Sequence, residues 1–160
     1  RLESKEKLWR HIHATGSFGW KWMPEYVKEQ GIDLAANPQI VMQEYIYNMP
    51  TLMAAADVMI SRAGASTCNE IAAAGLPCIL IPSPNVTNNH QEKNARVLEE
   101  RKGAVVVLEK DCTPEKLYAE IKALLADPQR REEMGKSLHS MVTLDSAERI
   151  CDIVEQLAKR

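Results

Sequence analysis

An open parallel α/β sheet covered by helices is the architecture that three features of this sequence predict. Short apolar runs rich in β-favouring residues alternate with longer segments of helical period, which is typical of a parallel sheet with helical crossovers. Glycine follows three of the helical segments, where a left-handed residue is needed before the chain turns into a strand. The chain has 160 residues, of which 45% are hydrophobic, and this suits one domain with a sizeable core.

Five short segments are predicted strands, and four longer segments are the helices between them. The strands span residues 11–14, 39–42, 57–61, 78–81 and 104–108. The helices span residues 20–30, 50–56, 66–74 and 91–102. Gly31, Gly75 and Gly103 follow three of these helices and mark their C-terminal ends.

Helices alone are predicted after residue 108. Thr113 is a hydroxyl N-cap that precedes Pro114 at the first helical position. The Asp-Pro pair at 127–128 begins a shorter helix. Asp145 and Glu148 resemble a capping box before a last helix with one apolar face.

The charge balance narrows the possible partners. Lys and Arg number 20 and Asp and Glu number 22, so the formal charge is -2. A nucleic-acid-binding domain usually carries a basic patch, and we therefore expect no nucleic-acid partner.

Cysteine usage and the absence of an apolar leader indicate a cytoplasmic protein. The cysteines at 68, 78, 112 and 151 form no Cys-x-x-Cys pair, which favours free buried thiols in a reducing compartment. The most apolar stretch, residues 71–81, is too short to cross a bilayer. Residues 1–7 are charged and resemble the end of a helix rather than a signal peptide.

Ligands of open α/β sheets bind at the carboxyl ends of the strands, and small residues follow the predicted strand that ends at residue 61. Residues 61–67 lead from a strand into a helix, and the free amides at a helix start suit a phosphate. Glu70, about one turn further, can accept hydrogen bonds from a vicinal diol such as a ribose. The alternative is a well-capped helix in which Glu70 is only a first-turn acid favoured by the dipole.

Two other strand ends carry polar or aromatic residues. Residues 81–94 form a polar loop whose amide, hydroxyl and imidazole groups suit a neutral polyol such as a sugar, or simply an ordinary turn with Asn and Ser caps. Residues 45–50 place aromatics beside a helix start, where they flank a planar base or belong to the core and its rim.

Four segments occur here in a specific combination of spacings. They are ISRAGAST at 60–67, EIAAAGLP at 70–77, IPSP at 81–84 and HQEKNA at 90–95. With them, the chain closely resembles the C-terminal, donor-binding half of the MurG family, the bacterial N-acetylglucosaminyltransferases of peptidoglycan synthesis. The resemblance runs from ATG at 14–16 to the final helix. It implies a Rossmann-like sheet that is the C-terminal half of a GT-B glycosyltransferase.

The resemblance also implies an activity and a set of contacts. The activity is the inverting transfer of N-acetylglucosamine from UDP-N-acetylglucosamine to the MurNAc-pentapeptide of an undecaprenyl-linked lipid. Glu70 would hold the ribose hydroxyls, and the backbone at Ala65, Ser66 and Thr67 would face the phosphates and the sugar. The remaining donor contacts expected from the family are His90 and Gln91 at sugar hydroxyls, Ile46 at the uracil edge through its main chain, and Tyr45 and Met49 around the nucleoside.

In the family, an acceptor-binding half and a glycine-rich strand-helix unit precede the segment that resembles this chain. Residues 1–160 are therefore expected to be a single nucleotide-sugar-binding domain, inactive alone and without a catalytic residue. The full-length enzyme would lie at the inner face of the cell membrane as a peripheral protein, because its acceptor is a lipid. No cofactor is implied, and the six scattered aspartates with no Asp-x-Asp motif predict no metal site.

Several assignments stay open at this point. Another UDP-sugar transferase of the GT-B fold, or a non-catalytic nucleotide-sugar-binding module, would carry much of the same sequence pattern. Arg62 would touch a phosphate or brace its turn through a carboxylate. His11 and His13 are candidates for a base or for strand-end packing, and His139 is expected to be solvated.

Overall fold

The computed structural model describes residues 9–159, which divide into two compact units. The first unit ends at Leu52 and the second begins at Met53. The segment 1–7, predicted to be the tail of a helix, lies outside the described residues. The single nucleotide-sugar-binding domain over 1–160 stays a prediction.

The first unit contains two parallel strands joined through two short helices. Strand β1 (His11–Ala14) pairs with β2 (Ile40–Gln43) in a register that runs from His11 opposite Ile40 to Ala14 opposite Gln43. Helix α1 (Gly16–Trp20) and helix α2 (Met23–Glu29) lie between them in the chain.

One continuous helix over 20–30 was the wrong prediction for this connection. Two helices replace it because Pro24 stands in the first turn of α2, where its missing N–H and fixed φ start a helix but do not continue one. Gly31 follows α2 with φ +76°, which confirms the predicted left-handed end.

The second unit is built on a three-stranded parallel sheet in the order β3-β4-β5. Its strands are β3 (Met59–Ser61), β4 (Cys78–Leu80) and β5 (Ala104–Val106). Met59 lies opposite Cys78, and Cys78 lies opposite Ala104. All three residues of β4 are fully buried, as expected for a central strand covered on both faces. The predicted alternation of parallel strands and helices is confirmed.

Within the described residues, six α-helices begin at or after Met49. They are α3 (Met49–Ala55), α4 (Ala65–Ala74), α5 (His90–Glu100), α6 (Pro114–Ala126), α7 (Pro128–His139) and α8 (Ser146–Ala158). Thr113 Oγ1 accepts from the Lys116 amide at 3.2 Å, and Asp127 Oδ1 accepts from the Arg130 amide at 2.9 Å. The predicted N-cap at Thr113 is therefore confirmed, and the helix predicted to begin at 127–128 begins there with Asp127 as its cap.

The start of α8 differs from the predicted capping box. The helix begins where expected, but the Asp145 carboxylate accepts from Arg149 Nε at 3.0 Å rather than from a backbone amide. A charge-assisted bond to a guanidinium four residues ahead competes successfully with the neutral backbone donors. The apolar face of α8 is exposed, with Ile150 at 61% and Leu157 at 62%.

The end of α5 differs from prediction in one residue. Lys102 rather than Gly103 takes the left-handed conformation, with φ +60°. Gly103 is nevertheless required, because a Cβ atom there would lie 2.7 Å from Leu138 Cδ2. The glycine allows close packing here, and it does not supply the turn.

The core of the second unit surrounds β4. Its largest fully buried side chains are Ile71, Ile79, Leu80, Leu124, Leu138, Val107 and Cys78. All four cysteines are free thiols, as predicted. The expectation that all of them are buried was wrong, because Cys112 is half-buried and Cys151 lies exposed on α8.

Burial also sets the reactivity of the thiols. It raises the pKa of the Cys78 thiol to about 12, with the nearby Cys68 a smaller cause, and it raises the pKa of Cys68. Only the thiolate is a good nucleophile. The two buried thiols are therefore protected from modification because reagents cannot reach them and because they stay protonated.

We expect Ellman's reagent at pH 8 to modify Cys151 at once and to leave Cys68 and Cys78 unmodified until denaturant is added. Absorbance at increasing denaturant concentration measures the number of reacted thiols. Cys151→Ser removes the fast thiol and serves as the control. Reaction of all four thiols at one rate in the native protein would contradict the burial described here.

Candidate functional site

The start of α4 presents backbone amides at the carboxyl end of β3. Gly64 is the N-cap with extended geometry (φ -65°, ψ 148°), and no side chain caps the helix. The amides of Ala65, Ser66 and Thr67 stand in the first turn, where α-helical geometry supplies no carbonyl for them. Ala65 and Ser66 are exposed. This end of α4 therefore offers donors and the positive end of a helix dipole to an anion.

Glu70 lies on the exposed side of the same helix. It is the sixth residue of α4 and stands one turn after Ser66, while Cys68, Ile71 and Ala72 face the core. Within residues 9–159 its carboxylate makes no hydrogen bond or ion pair. The alternative that Glu70 is a first-turn acid favoured by the dipole is wrong, because the first turn of α4 holds no acidic residue.

Arg62 braces the turn that precedes α4. Its guanidinium forms an ion pair with the Glu109 carboxylate, and Nη1 donates to the Ile81 carbonyl at 3.2 Å. Of the two roles left open by the sequence, these contacts favour the brace over a phosphate ligand. Glu109, which the sequence reasoning did not single out, supplies the carboxylate.

The polar loop after β4 reaches α5 through two left-handed asparagines. Asn88 and Asn89 have φ values of 54° and 51°, a conformation that asparagine tolerates better than most residues. The loop is fastened at its other end, where the Ser83 amide donates to Gln91 Oε1 at 2.9 Å. Gln91 therefore shapes the loop in addition to being a candidate ligand residue.

His90, the first residue of α5, has a defined tautomer. Its Nδ1 lies 2.9 Å from the Thr87 carbonyl oxygen. A carbonyl oxygen only accepts, so Nδ1 carries the proton in this hydrogen bond. In the neutral ring, Nε2 is then an acceptor for a hydroxyl donor.

Asn94 connects the two segments of the candidate site. Its Nδ2 donates to the Ala63 carbonyl at 3.1 Å, across 31 residues of sequence. This contact ties α5 to the turn that leads into α4. The sequence reasoning assigned no role to Asn94, although its position one turn after Gln91 on the same helix was a usable signal.

A cavity of about 610 Å³ lies beside this region and contains none of the predicted donor-binding residues. Asn89, Glu92 and Glu109 are among the residues that line it. The hydrogen bond from Asn89 Nδ2, with the Arg96 guanidinium as a further cause, lowers the pKa of Glu92.

The remaining predicted residues belong to the first unit. Ile46 is buried, and its main-chain N–H and C=O make no hydrogen bond with the rest of the described chain. Tyr45 is 64% exposed and forms an edge-to-face pair with Tyr47 at a centroid distance of 5.0 Å. Met49 opens α3.

Three histidines stand apart from these contacts. His11 and His13 are half-buried on β1, and their ring centroids lie 5.6 Å apart. Each ring thus packs against the other on the strand. His139 is exposed, as expected, at the end of α7.

The part of the chain that the structure describes contains no group of three His, Cys, Asp or Glu side chains able to hold a metal ion. Among the helices within 9–159, none combines the length and the apolar character needed to cross a membrane.

Similar proteins of known sequence are bacterial transferases. An enzyme of Thermoanaerobacter sp. (strain X514), named UDP-N-acetylglucosamine--N-acetylmuramyl-(pentapeptide) pyrophosphoryl-undecaprenol N-acetylglucosamine transferase, is 43% identical over 98% of this chain and 42% of its own length. The enzyme of the same name from Acetivibrio thermocellus is 42% identical over 92% of this chain and 39% of its own length. The chain therefore spans about two-fifths of these curated relatives.

Solved structures agree in fold. MurG of Acinetobacter baumannii superposes with a TM-score of 0.77 at 25% identity, covering 98% of this chain and 45% of that one. The glycosyltransferase VinC, solved with dTDP, superposes with a TM-score of 0.64 at 22% identity over 85% of this chain and 33% of that one, which shows the shared fold. The GT-B fold expected from the sequence is confirmed.

A family model covers nearly the whole chain. The glycosyltransferase family 28 C-terminal domain matches residues 2–155. The chain, with the site described at the start of α4 and in the loop before α5, therefore belongs to the C-terminal domains of glycosyltransferase family 28.

Proposed function

We propose that this chain binds UDP-N-acetylglucosamine as the donor domain of an inverting N-acetylglucosaminyltransferase that acts on undecaprenyl-diphospho-MurNAc-pentapeptide. The observation that carries the proposal is the start of α4, where uncapped amides and the unpartnered Glu70 carboxylate share one exposed side of a helix. The names of the relatives from Thermoanaerobacter and Acetivibrio support the choice of donor and acceptor.

In this proposal the amides of Ala65, Ser66 and Thr67 bind the diphosphate. Transfer breaks the bond between C1 of the sugar and the oxygen of the diphosphate, and the electron pair of that bond stays on UDP. Preorganised amides and the helix dipole stabilise the negative charge that develops there. C1 forms its new bond to a hydroxyl oxygen of the acceptor on the opposite face of the sugar, and that hydroxyl gives its proton to a base expected in the other half of the full-length enzyme.

Glu70 and the loop before α5 supply the polar contacts to the two sugars of the donor. The Glu70 carboxylate accepts from the ribose diol. At the N-acetylglucosamine, His90 Nε2 accepts from a hydroxyl, and the Gln91 side-chain NH₂ donates to one while Gln91 Oε1 remains bonded to Ser83. The nucleoside contacts at Tyr45, Ile46 and Met49 stay a prediction for the first unit.

Binding in this proposal is independent of metal ions and cofactors. The acceptor, a membrane lipid, would place the full-length enzyme at the inner face of the cell membrane as a peripheral protein. Catalytic residues are expected elsewhere in the full-length enzyme, so the 160-residue chain is expected to bind its donor without turning it over.

We expect the 160-residue chain to bind UDP and UDP-N-acetylglucosamine weakly, with a dissociation constant of high-micromolar to about 1 mM, equivalent to roughly -4 to -5.5 kcal/mol. NMR titration with UDP-N-acetylglucosamine, UDP-glucose, dTDP, GDP-mannose and ATP measures the preference, and EDTA should leave it unchanged. A preference for UDP-glucose or dTDP would indicate a different transferase. Equal responses to all the nucleotides would contradict the proposed donor site.

Glu70→Ala should weaken the binding of uridine nucleotides by about 10- to 150-fold, because a hydrogen bond to a charged group contributes roughly 1.5–3 kcal/mol. Glu70→Gln should lie between Glu70→Ala and the parent. Little change in melting temperature is expected, since Glu70 stands beyond the first turn, where the dipole acts.

Two controls make the Glu70 test specific. Asn69→Ala removes the neighbouring exposed side chain of α4 and should leave affinity unchanged. With 2′,3′-dideoxy-UDP, the Glu70→Ala change should cost almost nothing, because the diol is missing. A folded Glu70→Ala protein with unaltered UDP affinity would falsify the ribose assignment.

Gln91→Glu should separate the structural from the ligand role of this side chain. A glutamate still accepts from the Ser83 amide but has no NH₂ to donate to the sugar. We expect hydrogen exchange of the Ser83 amide to stay slow in Gln91→Glu and to become faster in Gln91→Ala. Affinity for UDP-N-acetylglucosamine should fall more than affinity for UDP, which controls for repulsion between the new carboxylate and the phosphates. Equal losses for the two ligands would remove Gln91 from the sugar site.

A further inference from the structure

Helix α7 lies against the C-terminal ends of both helices that begin at the candidate donor site. Gly135 of α7 contacts Gly75, directly after α4. Ser137 and Leu138 contact Arg101 and Gly103, directly after α5. One helix on the far side of the domain thus contacts both elements that carry the candidate ligand groups at their other ends.

The contact with α4 is between two backbones. Gly75 ends α4 in the left-handed conformation with φ +60°. A Cβ atom at Gly135 would lie 2.7 Å from the Gly75 carbonyl oxygen. This distance is too short for any side chain, and the obstructing atom belongs to the backbone and cannot rotate away. Glycine is disfavoured inside a helix, and the close approach explains its presence in the middle of α7.

The contact with α5 combines a hydrogen bond and a packed side chain. Ser137 Oγ donates to the carbonyl of Arg101, the C-cap of α5. Leu138 is fully buried and lies over Gly103, where a Cβ atom would meet Leu138 Cδ2 at 2.7 Å. α7 therefore fixes the end of α5 through two adjacent residues.

We infer that Gly135 and Ser137 are positioning residues of the donor site, which act through α4 and α5 respectively. α4 has 10 residues and is a rigid element of about 15 Å, so a displacement at Gly75 is carried to the amides of Ala65–Thr67. One side of α4 is held against the core by Cys68, Ile71 and Ala72, which leaves little room to absorb such a displacement locally. The effect on nucleotide affinity rests on the proposed function, whereas the effect on the helices does not.

Gly135→Ala tests the contact with α4. The change in melting temperature has one sign if the close approach exists and the opposite sign if it does not. Without the close approach, alanine raises helix propensity and the melting temperature should rise. With it, the melting temperature should fall, and the amide signals of Ala65, Ser66 and Thr67 should shift in the nucleotide-free protein. UDP affinity should then weaken by about tenfold, because misplaced donors lose their alignment with the phosphates.

Ser137→Ala introduces no clash and keeps the inference testable where Gly135→Ala fails to fold. We expect it to shift the amide signals of His90 and Gln91 while leaving those of Ala65–Thr67 in place. Arg130→Ala, which removes an exposed side chain of the same helix, is the control and should shift neither group.

A folded Gly135→Ala protein with a raised melting temperature, or with unchanged signals at Ala65–Thr67, would overturn the role of Gly135. Unchanged signals at His90 and Gln91 in Ser137→Ala would overturn that of Ser137. Failure of the parent chain to bind UDP would overturn the proposed function alone, because the signals are recorded without nucleotide.

Discussion

Strand β4 is buried on both faces, so its backbone groups must find their hydrogen-bond partners in the strands on either side. This requirement fixes the register with β3 and β5 and places the carboxyl ends of β3 and β4 together. The amide of Ile81 donates to the Ser61 carbonyl at 2.8 Å and closes that pair of strands. The segments that lead to α4 and α5 consequently leave the sheet side by side, which is the geometry that a ligand at this edge requires.

Polar contacts across these two segments hold them in place without burying a charge. Asn94 reaches the Ala63 carbonyl, Gln91 reaches the Ser83 amide, and Arg62 reaches the Ile81 carbonyl. Each contact satisfies a backbone group that no strand or helix supplies with a partner. The loops are thereby preorganised, and a preorganised site loses less conformational entropy when a ligand binds.

Local signals predicted most of the fold. Thr113 caps its helix as expected, a helix begins at the Asp-Pro pair at 127–128, and the five parallel strands lie close to their predicted positions, because these features depend on neighbours in sequence. Contacts distant in sequence were not predicted. Gly103 is required by the packing of Leu138, 35 positions later, and Arg62 is paired with Glu109. Neither hydrophobic periodicity nor residue propensity indicates either partner. At the site, the start of α4 was predictable from its small residues, whereas the partner of Asn94, the Ala63 carbonyl, required the three-dimensional structure.

The caps themselves distinguish the two helices of the candidate site from the two that follow. α6 and α7 begin with side-chain caps that occupy a first-turn amide. α4 and α5 begin without one, although side-chain capping stabilises a helix. An aspartate at the position of Gly64 would occupy an amide and bring a negative charge to where the proposed diphosphate lies. Leaving the amides of α4 to solvent costs some helix stability, and in the proposed function the anionic donor restores it on binding, so stability and affinity are coupled at this end of the helix.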